Sequence, residues 1–157
     1  MAFFEWLEYT RLAVWVGESL WGYPIMISLH AIGLGTVVGI LVMLDLRVLG
    51  SFDGMPFSSL PGLMNIAWAG FVVNLLSGVA LFTAQATVFV ESTPFLIKIP
   101  AIFAALGIAG VMQKQIGKNA DSWDTGSLVS SSAKILAAGS IGLWLIAIIA
   151  GRLVAYL

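Results

Sequence analysis

The sequence predicts an all-α protein: an integral membrane four-helix bundle, one domain over residues 1–157, preceded by an N-terminal amphipathic helix in the membrane interface. Composition is the first reason. Of 157 residues, 60% are apolar and 10% charged, with a mean hydropathy of +1.02, whereas a soluble domain carries roughly 25% charged residues. The second reason is how the apolar residues are distributed. Neither Ser19 to Leu44 nor Gly54 to Val90 contains a charge, and ~20 apolar residues already cross a bilayer. A soluble domain of this length can bury one core, but not these segments as well, so lipid has to solvate them.

The elements follow in chain order. Residues 2 to about 17 mix Phe3, Trp6, Leu7 and Val14, at roughly helical spacing, with Glu5, Glu8 and Arg11. That pattern predicts a helix lying in the interface, its aromatic rings at headgroup level. Span one covers about 19–44 and ends where Asp45 and Arg47 restore charge. Gly50, Gly54, Pro56, Pro61 and Gly62 then predict a loop without regular structure. Span two covers about 63–90, its start set by the prolines. Span three covers about 94–113, with Lys98 one turn inside and Pro100 tolerable in the first turns. The stretch from Gln115 to Ser132, with Lys118, Asp121, Asp124 and a run of serines, predicts an aqueous loop with room for a short helix. Span four covers about 133–156.

Several classes of function are excluded. A net charge of −1 without a basic run leaves nothing to neutralise phosphates, so no nucleic acid partner is expected. No cysteine is present, which removes disulfides, thiolate metal sites and cysteine nucleophiles together. Glu5 and Glu8 stand where a cleaved signal would carry positive charge, so the start reads as retained. No acid pair lies deep in a span, and no nucleophile stands with a histidine in a recognisable motif. The chain therefore reads as non-catalytic on its own. Its partners are the bilayer and either further copies or other membrane subunits. Arg11, Lys98 and Arg152 fall on the side of the termini; Arg47, Lys114, Lys118 and Lys134 fall on the other. This small excess predicts both termini outside the cytoplasm, in a multi-pass protein of the bacterial inner membrane.

Polar groups at membrane depth are costly, so each is a functional candidate. His30, the one histidine, lies near the middle of span one. Three roles are open to it: a hydrogen bond to a neighbouring helix, ligation of haem b or copper, and proton relay. Met26, one turn away, is the thioether a copper site would use with it. Glu18, Glu91, Lys98 and Arg152 fall at one depth, where acids and bases can neutralise one another. Lys98 and Arg152 are the candidates for contacts with haem propionates, quinone carbonyls or lipid headgroups. Trp144, Ile148, Arg152 and Tyr156 share a helical face, an aromatic wall open to a flat cofactor or a neighbouring helix. Ala67, Gly70, Asn74, Ser77 with Gly78, Leu81 and Gln85 form a stripe on span two, and Gly35 with Gly39 forms a small-xxx-small element on span one. Gly35, Gly39, Gly70, Asn74 and Gly78 are the predicted helix-packing positions.

These residues also carry a resemblance. Tyr23-Pro24, Leu29-His30, Leu44 to Gly50, Trp68 to Gly70, Ser77-Gly78, Pro94-Phe95 with Lys98, and Gly151 to Tyr156 together resemble an uncharacterised family of small four-span bacterial membrane proteins. More distantly the chain is similar to the membrane part of copper resistance D proteins and to cytochrome b561-type bundles. The resemblance implies metal transfer or haem-based electron transfer. This chain departs from it at the end of span three, reading Gly110 to Gln113 where the pattern carries Asn and His. Two functions follow as expectations. One is a non-catalytic subunit of a membrane assembly, redox-linked, with a haem or other flat cofactor near His30. The other is a small transporter or metal-handling protein.

Overall fold

The computed structural model describes residues 1–154 and 156. All regular structure among them is helical: α1 (Ala2–Glu8), α2 (Arg11–Glu18), α3 (Gly22–Leu49), a 3₁₀ turn (Phe57–Ser59), α4 (Leu60–Ala84), α5 (Ala86–Glu91), α6 (Thr93–Asp124) and α7 (Ser131–Leu153). Four of these helices are long and apolar enough to cross a membrane. α3, with 28 residues, extends about 42 Å. Their outward faces carry Ile32, Ile66, Leu76, Phe103, Ile135 and Ile149, each at least half exposed. Apolar surface on that scale has lipid as its solvent. The chain is a multi-pass membrane bundle.

The N-terminal segment is two helices rather than one. The backbone breaks at Tyr9 and Thr10 because the Thr10 hydroxyl serves both sides: it donates to Leu7 O at 2.8 Å and accepts from Ala13 N at 3.3 Å, capping α2. α2 buries Ala13 and Val16 and packs on α3 and α4, while α1 reaches α5. The Glu8 carboxylate accepts from Thr87 N (2.9 Å) and Thr87 Oγ1 (2.7 Å).

Span boundaries shift wherever a distant partner decides them. α3 begins at Gly22, later than expected, and runs past Asp45 and Arg47 to Gly50, whose φ of 105° ends it in the left-handed conformation. The loop after it is held rather than irregular. Arg47 Nε donates to Met55 O at 2.6 Å, its guanidinium lies 4.2 Å above the Phe57 ring, and it pairs with Asp53 at 3.7 Å. Span two stops at Ala84 instead of 90, because Gln85 leaves the helical region (φ −146°, ψ 41°) and α5 turns toward α1. The largest revision concerns α6. It continues to Asp124 through most of the expected aqueous loop, since Ile116 and Ala120 still find a buried face. At its end the Asp124 carboxylate accepts from Phe57 N (2.6 Å) and Ser58 N (3.0 Å), tying α6 to the start of α4. α7 starts at Ser131, capped by the Ser130 hydroxyl on Ala133 N.

The helices pack as two tight pairs, α3 with α4 and α6 with α7, joined through α3 and α7. α4 and α6 touch only sparsely. α3 and α4 meet on small residues. A Cβ on Gly33 would lie 2.6 Å from Asn74 N, and one on Gly70 would lie 2.8 Å from the Thr36 side chain. Gly35 and Gly39, expected to pack, have nothing within 4 Å of a Cβ. Within this chain the close approach therefore belongs to Gly33, two residues before Gly35 and on a different face of the helix.

Candidate functional site

A cleft opens on the sparse side of the bundle. Where α4 and α6 come together, two contacts bound it. At one end Phe82 stacks on Phe95, with centroids 5.5 Å apart and planes 17° apart, and Phe89 extends the stack. At the other, Trp68 Nε1 donates to Gln113 Oε1 at 3.0 Å. Between them lies a cavity of about 460 Å³, within the range of sites that bury one small molecule, about 300–1,000 Å³. Phe71, Leu75, Val79, Ile99, Ile102 and Phe103 supply apolar walls. Leu75, Val79 and Phe103 are about half exposed or more, so the cleft is reached from the lipid side.

His30 reaches it from α3. Its Nδ1 lies 3.0 Å from the Asn74 carbonyl oxygen, 3.2 Å from the Asn74 amide nitrogen and 3.3 Å from the Ser77 hydroxyl; we assign the hydrogen to Nδ1, donating to Asn74 O, because that contact is the shortest and a carbonyl oxygen has only lone pairs to offer. The Asn74 amide donates in return to the His30 carbonyl at 2.8 Å, and the Ser77 hydroxyl donates to Val73 O at 2.7 Å. Nε2 is thereby left as an acceptor. It makes no hydrogen bond among the described residues. A ring held by a backbone carbonyl through one nitrogen, with the other presented, is the arrangement of a metal-ligating or acceptor histidine. Gly78 makes the seat possible: a Cβ there would meet the ring at 3.0 Å.

Lys98 on α6 lines the same cavity. Its Cδ, Cε and Nζ lie along α7 at Gly151, where a Cβ would sit 3.4 Å from each. Among the described residues Lys98 makes no ion pair; the one ion pair among them joins Arg47 to Asp53. A second cavity of about 270 Å³ begins at the same place. His30, Gly78, Phe82, Phe95 and Lys98 line both, and the second continues past Tyr23 and Gln85 toward the end of the bundle that carries α2.

The other sequence candidates fall elsewhere. Arg152 turns away from the cleft, donating to Tyr156 OH at 2.9 Å with its guanidinium 5.3 Å from that ring. Glu18, Glu91, Lys98 and Arg152 do not pair with one another. Trp144 is no wall for a cofactor. It is 2% exposed inside the core, and its Nε1 has no partner. Met26 lines neither cavity, and Met64 and Met112 are buried in the core. No group of three or more His, Asp or Glu side chains converges among the described residues. Within one chain, then, a haem at His30 finds no second histidine or thioether in the cleft, and copper finds no companion thioether there.

One polar group escaped the sequence reading. Asp45, which reads as the marker where span one leaves the membrane, is 4% exposed, facing the buried Ser140 on α7, and its Oδ2 has no partner. Its helical spacing from Val38 and Leu41, both buried, is the signal that places it on the inner face. No family model, curated protein or solved structure matches this chain.

Proposed function

We propose that this chain is a non-catalytic integral subunit of a membrane assembly that holds a flat or elongated amphiphile in the cleft between α4 and α6, anchored at His30. One observation carries the reading. The Nδ1–H of His30 is committed to Asn74 O, which leaves Nε2 as an unpaired acceptor beside a lipid-accessible apolar cavity of about 460 Å³. Haem b is one occupant to test: His30 Nε2 would ligate its iron and Lys98 would face its propionates, the haem would supply one-electron transfer, and a partner would have to supply any second ligand. A small transporter is the second reading, favoured by the meeting of the two cavities at His30 and Lys98.

The test is recovery of the ligand. Protein purified in mild detergent from its native membrane should release one small amphiphile per chain on denaturation, detected by mass spectrometry, or show a Soret band that shifts on reduction if haem is held. Val79→Trp, which places bulk in the cleft from its half-exposed edge, should lower the recovered ligand while the helices stay folded by circular dichroism. Equal recovery from both proteins, or none from either, overturns the proposal. We place the chain in the bacterial inner membrane with both termini extracytoplasmic. A reporter inserted near Asp121 should then behave as cytoplasmic and one fused after Tyr156 as extracytoplasmic; the reverse pattern removes the assignment.

A further inference from the structure

We propose that the occupant of the cleft is a long-chain carboxylic acid, its head held between Lys98 and His30 and its chain running along α4 and α6 toward the bilayer centre. This rests on the reading of the cleft as a ligand site and adds the chemistry of the ligand.

The head is specified by what the two side chains lack. Lys98 is the one charged side chain lining the cleft, and it has no ion pair among the described residues. An ammonium in a largely apolar wall calls for an anion or a strong acceptor. Beside it, His30 Nε2 offers a lone pair, because Nδ1–H is committed to Asn74 O. Together they present one donor and one acceptor. A carboxyl group answers both, one oxygen accepting from Lys98 Nζ while the carboxyl proton is shared with His30 Nε2. A phosphodiester headgroup offers only acceptors and would set its lone pairs against Nε2. An alcohol offers both functions on one oxygen, so a single atom has to serve Lys98 and His30 where a carboxyl group uses two.

The chain is specified by the shape of the cleft. Lys98 lies one turn from Phe95, at the end marked by the aromatic stack, and Leu106 lies toward the Trp68–Gln113 contact. From Lys98 to Leu106 is roughly 12 Å along the helix, with apolar side chains on both walls and an open edge to lipid. The polar groups sit at the end adjoining the second cavity, and the apolar slot extends away from it. That is the orientation an acid has within a leaflet, so it can enter sideways without turning over.

The experiment uses the full chain in nanodiscs of phosphatidylcholine free of fatty acid, with a diazirine-bearing hexadecanoic acid as probe. Irradiation should label α4 and α6 peptides, located by mass spectrometry. Unlabelled hexadecanoic acid should compete about tenfold or more better than hexadecanol or hexadecylphosphocholine, as expected for one further hydrogen bond to a charged group. Lys98→Met should erase that preference and Lys98→Arg should retain it. Neither change removes an ion pair within the described residues, and circular dichroism checks that both variants fold. Equal competition by hexadecanol, or an undiminished preference in Lys98→Met, overturns the carboxylic acid. If the probe also labels Val79→Trp as strongly as the native chain, or labels neither, the cleft itself is not the site. If a different small molecule is recovered from the native protein and lost in Val79→Trp, the site stands and the acid falls.

Discussion

Substituting Gly33 and Gly35 separately by alanine tests the packing register of the two central helices. A Cβ on Gly33 would lie 2.6 Å from Asn74 N, 2.9 Å from Asn74 Cα and 2.9 Å from Gly70 O. All three are backbone atoms, so no rotamer change relieves the overlap and α3 must move off α4. Forcing extra volume into a packed interior typically costs 1–3 kcal/mol, and rigid neighbours put this case at about 3 kcal/mol. The movement also separates His30 from Asn74, since Asn74 is the residue displaced. At Gly35 nothing lies within 4 Å, so alanine adds only helix propensity, a gain of up to about 1 kcal/mol. The two variants should therefore differ by about 3–4 kcal/mol in opposite directions. Reversible unfolding in mixed detergent micelles, followed by far-UV circular dichroism, measures the difference. A Gly35→Ala chain as unstable as Gly33→Ala, or a harmless Gly33→Ala, would refute the register and with it the seat of His30.

Two further outcomes are expected. Hydrogen bonds from the Thr87 amide and hydroxyl hold the Glu8 carboxyl below its ordinary range; a lowered folded value means the α1 to α5 contact is complete above the ordinary carboxylate pKa and is lost as pH falls through the lowered one. The Thr87 amide should therefore be protected from exchange at neutral pH, with a protection factor that falls in acid, and Glu8→Ala should give the low protection factor already at neutral pH; a protection factor indifferent to both would remove the contact. Asp45→Asn keeps the shape facing Ser140 in place of a buried carboxyl whose Oδ2 has no partner, so its melting temperature should equal or exceed the native one; a loss above about 2 kcal/mol would mean that the carboxyl has a counterpart.

The four spans are legible because lipid solvation leaves a one-dimensional trace: long segments without charge, punctuated by glycine and proline. Their ends are less so. Asp124 closes α6 by accepting from Phe57 N and Ser58 N, and Glu8 steadies α5 through Thr87. Partners so far apart in sequence leave no local signal. The packing glycines show a different limit. Span one is apolar around its whole circumference, so periodicity does not say which face meets a helix and which meets lipid. Gly35 with Gly39 and the single Gly33 were equally eligible on composition. His30 and Asn74 each stand out as polar groups at depth, but their mutual bonds, which fix the tautomer, arise only when α3 and α4 are docked. The expected neutralisation among Glu18, Glu91, Lys98 and Arg152 fails for the same reason: equal depth does not bring side chains onto facing surfaces.

The open side of the bundle is nonetheless written in the sequence, in side-chain size rather than hydropathy. α4 buries Ala67, Gly70, Ser77 and Ala80, with Gly70 set directly against α3. α6 buries Ala101, Ala105 and Ala109, spaced by four, and packs on α7, which buries Ala133, Ala137 and Ala147. Without water to drive helices together, close backbone approach on small residues is what makes a membrane contact tight. Both helices have used their small faces on other partners. What they turn toward each other is Phe71, Leu75 and Val79 on one side and Ile99, Ile102 and Phe103 on the other. Such residues keep two backbones apart, and where they do not interlock they leave a gap that lipid-soluble molecules can enter. The polar pair within that gap, His30 and Lys98, lies where Gly78 and Gly151 clear space for them. Three observations thus converge on one place: two helices held apart by bulk, a cavity between them, and two polar side chains seated there by glycines on neighbouring helices.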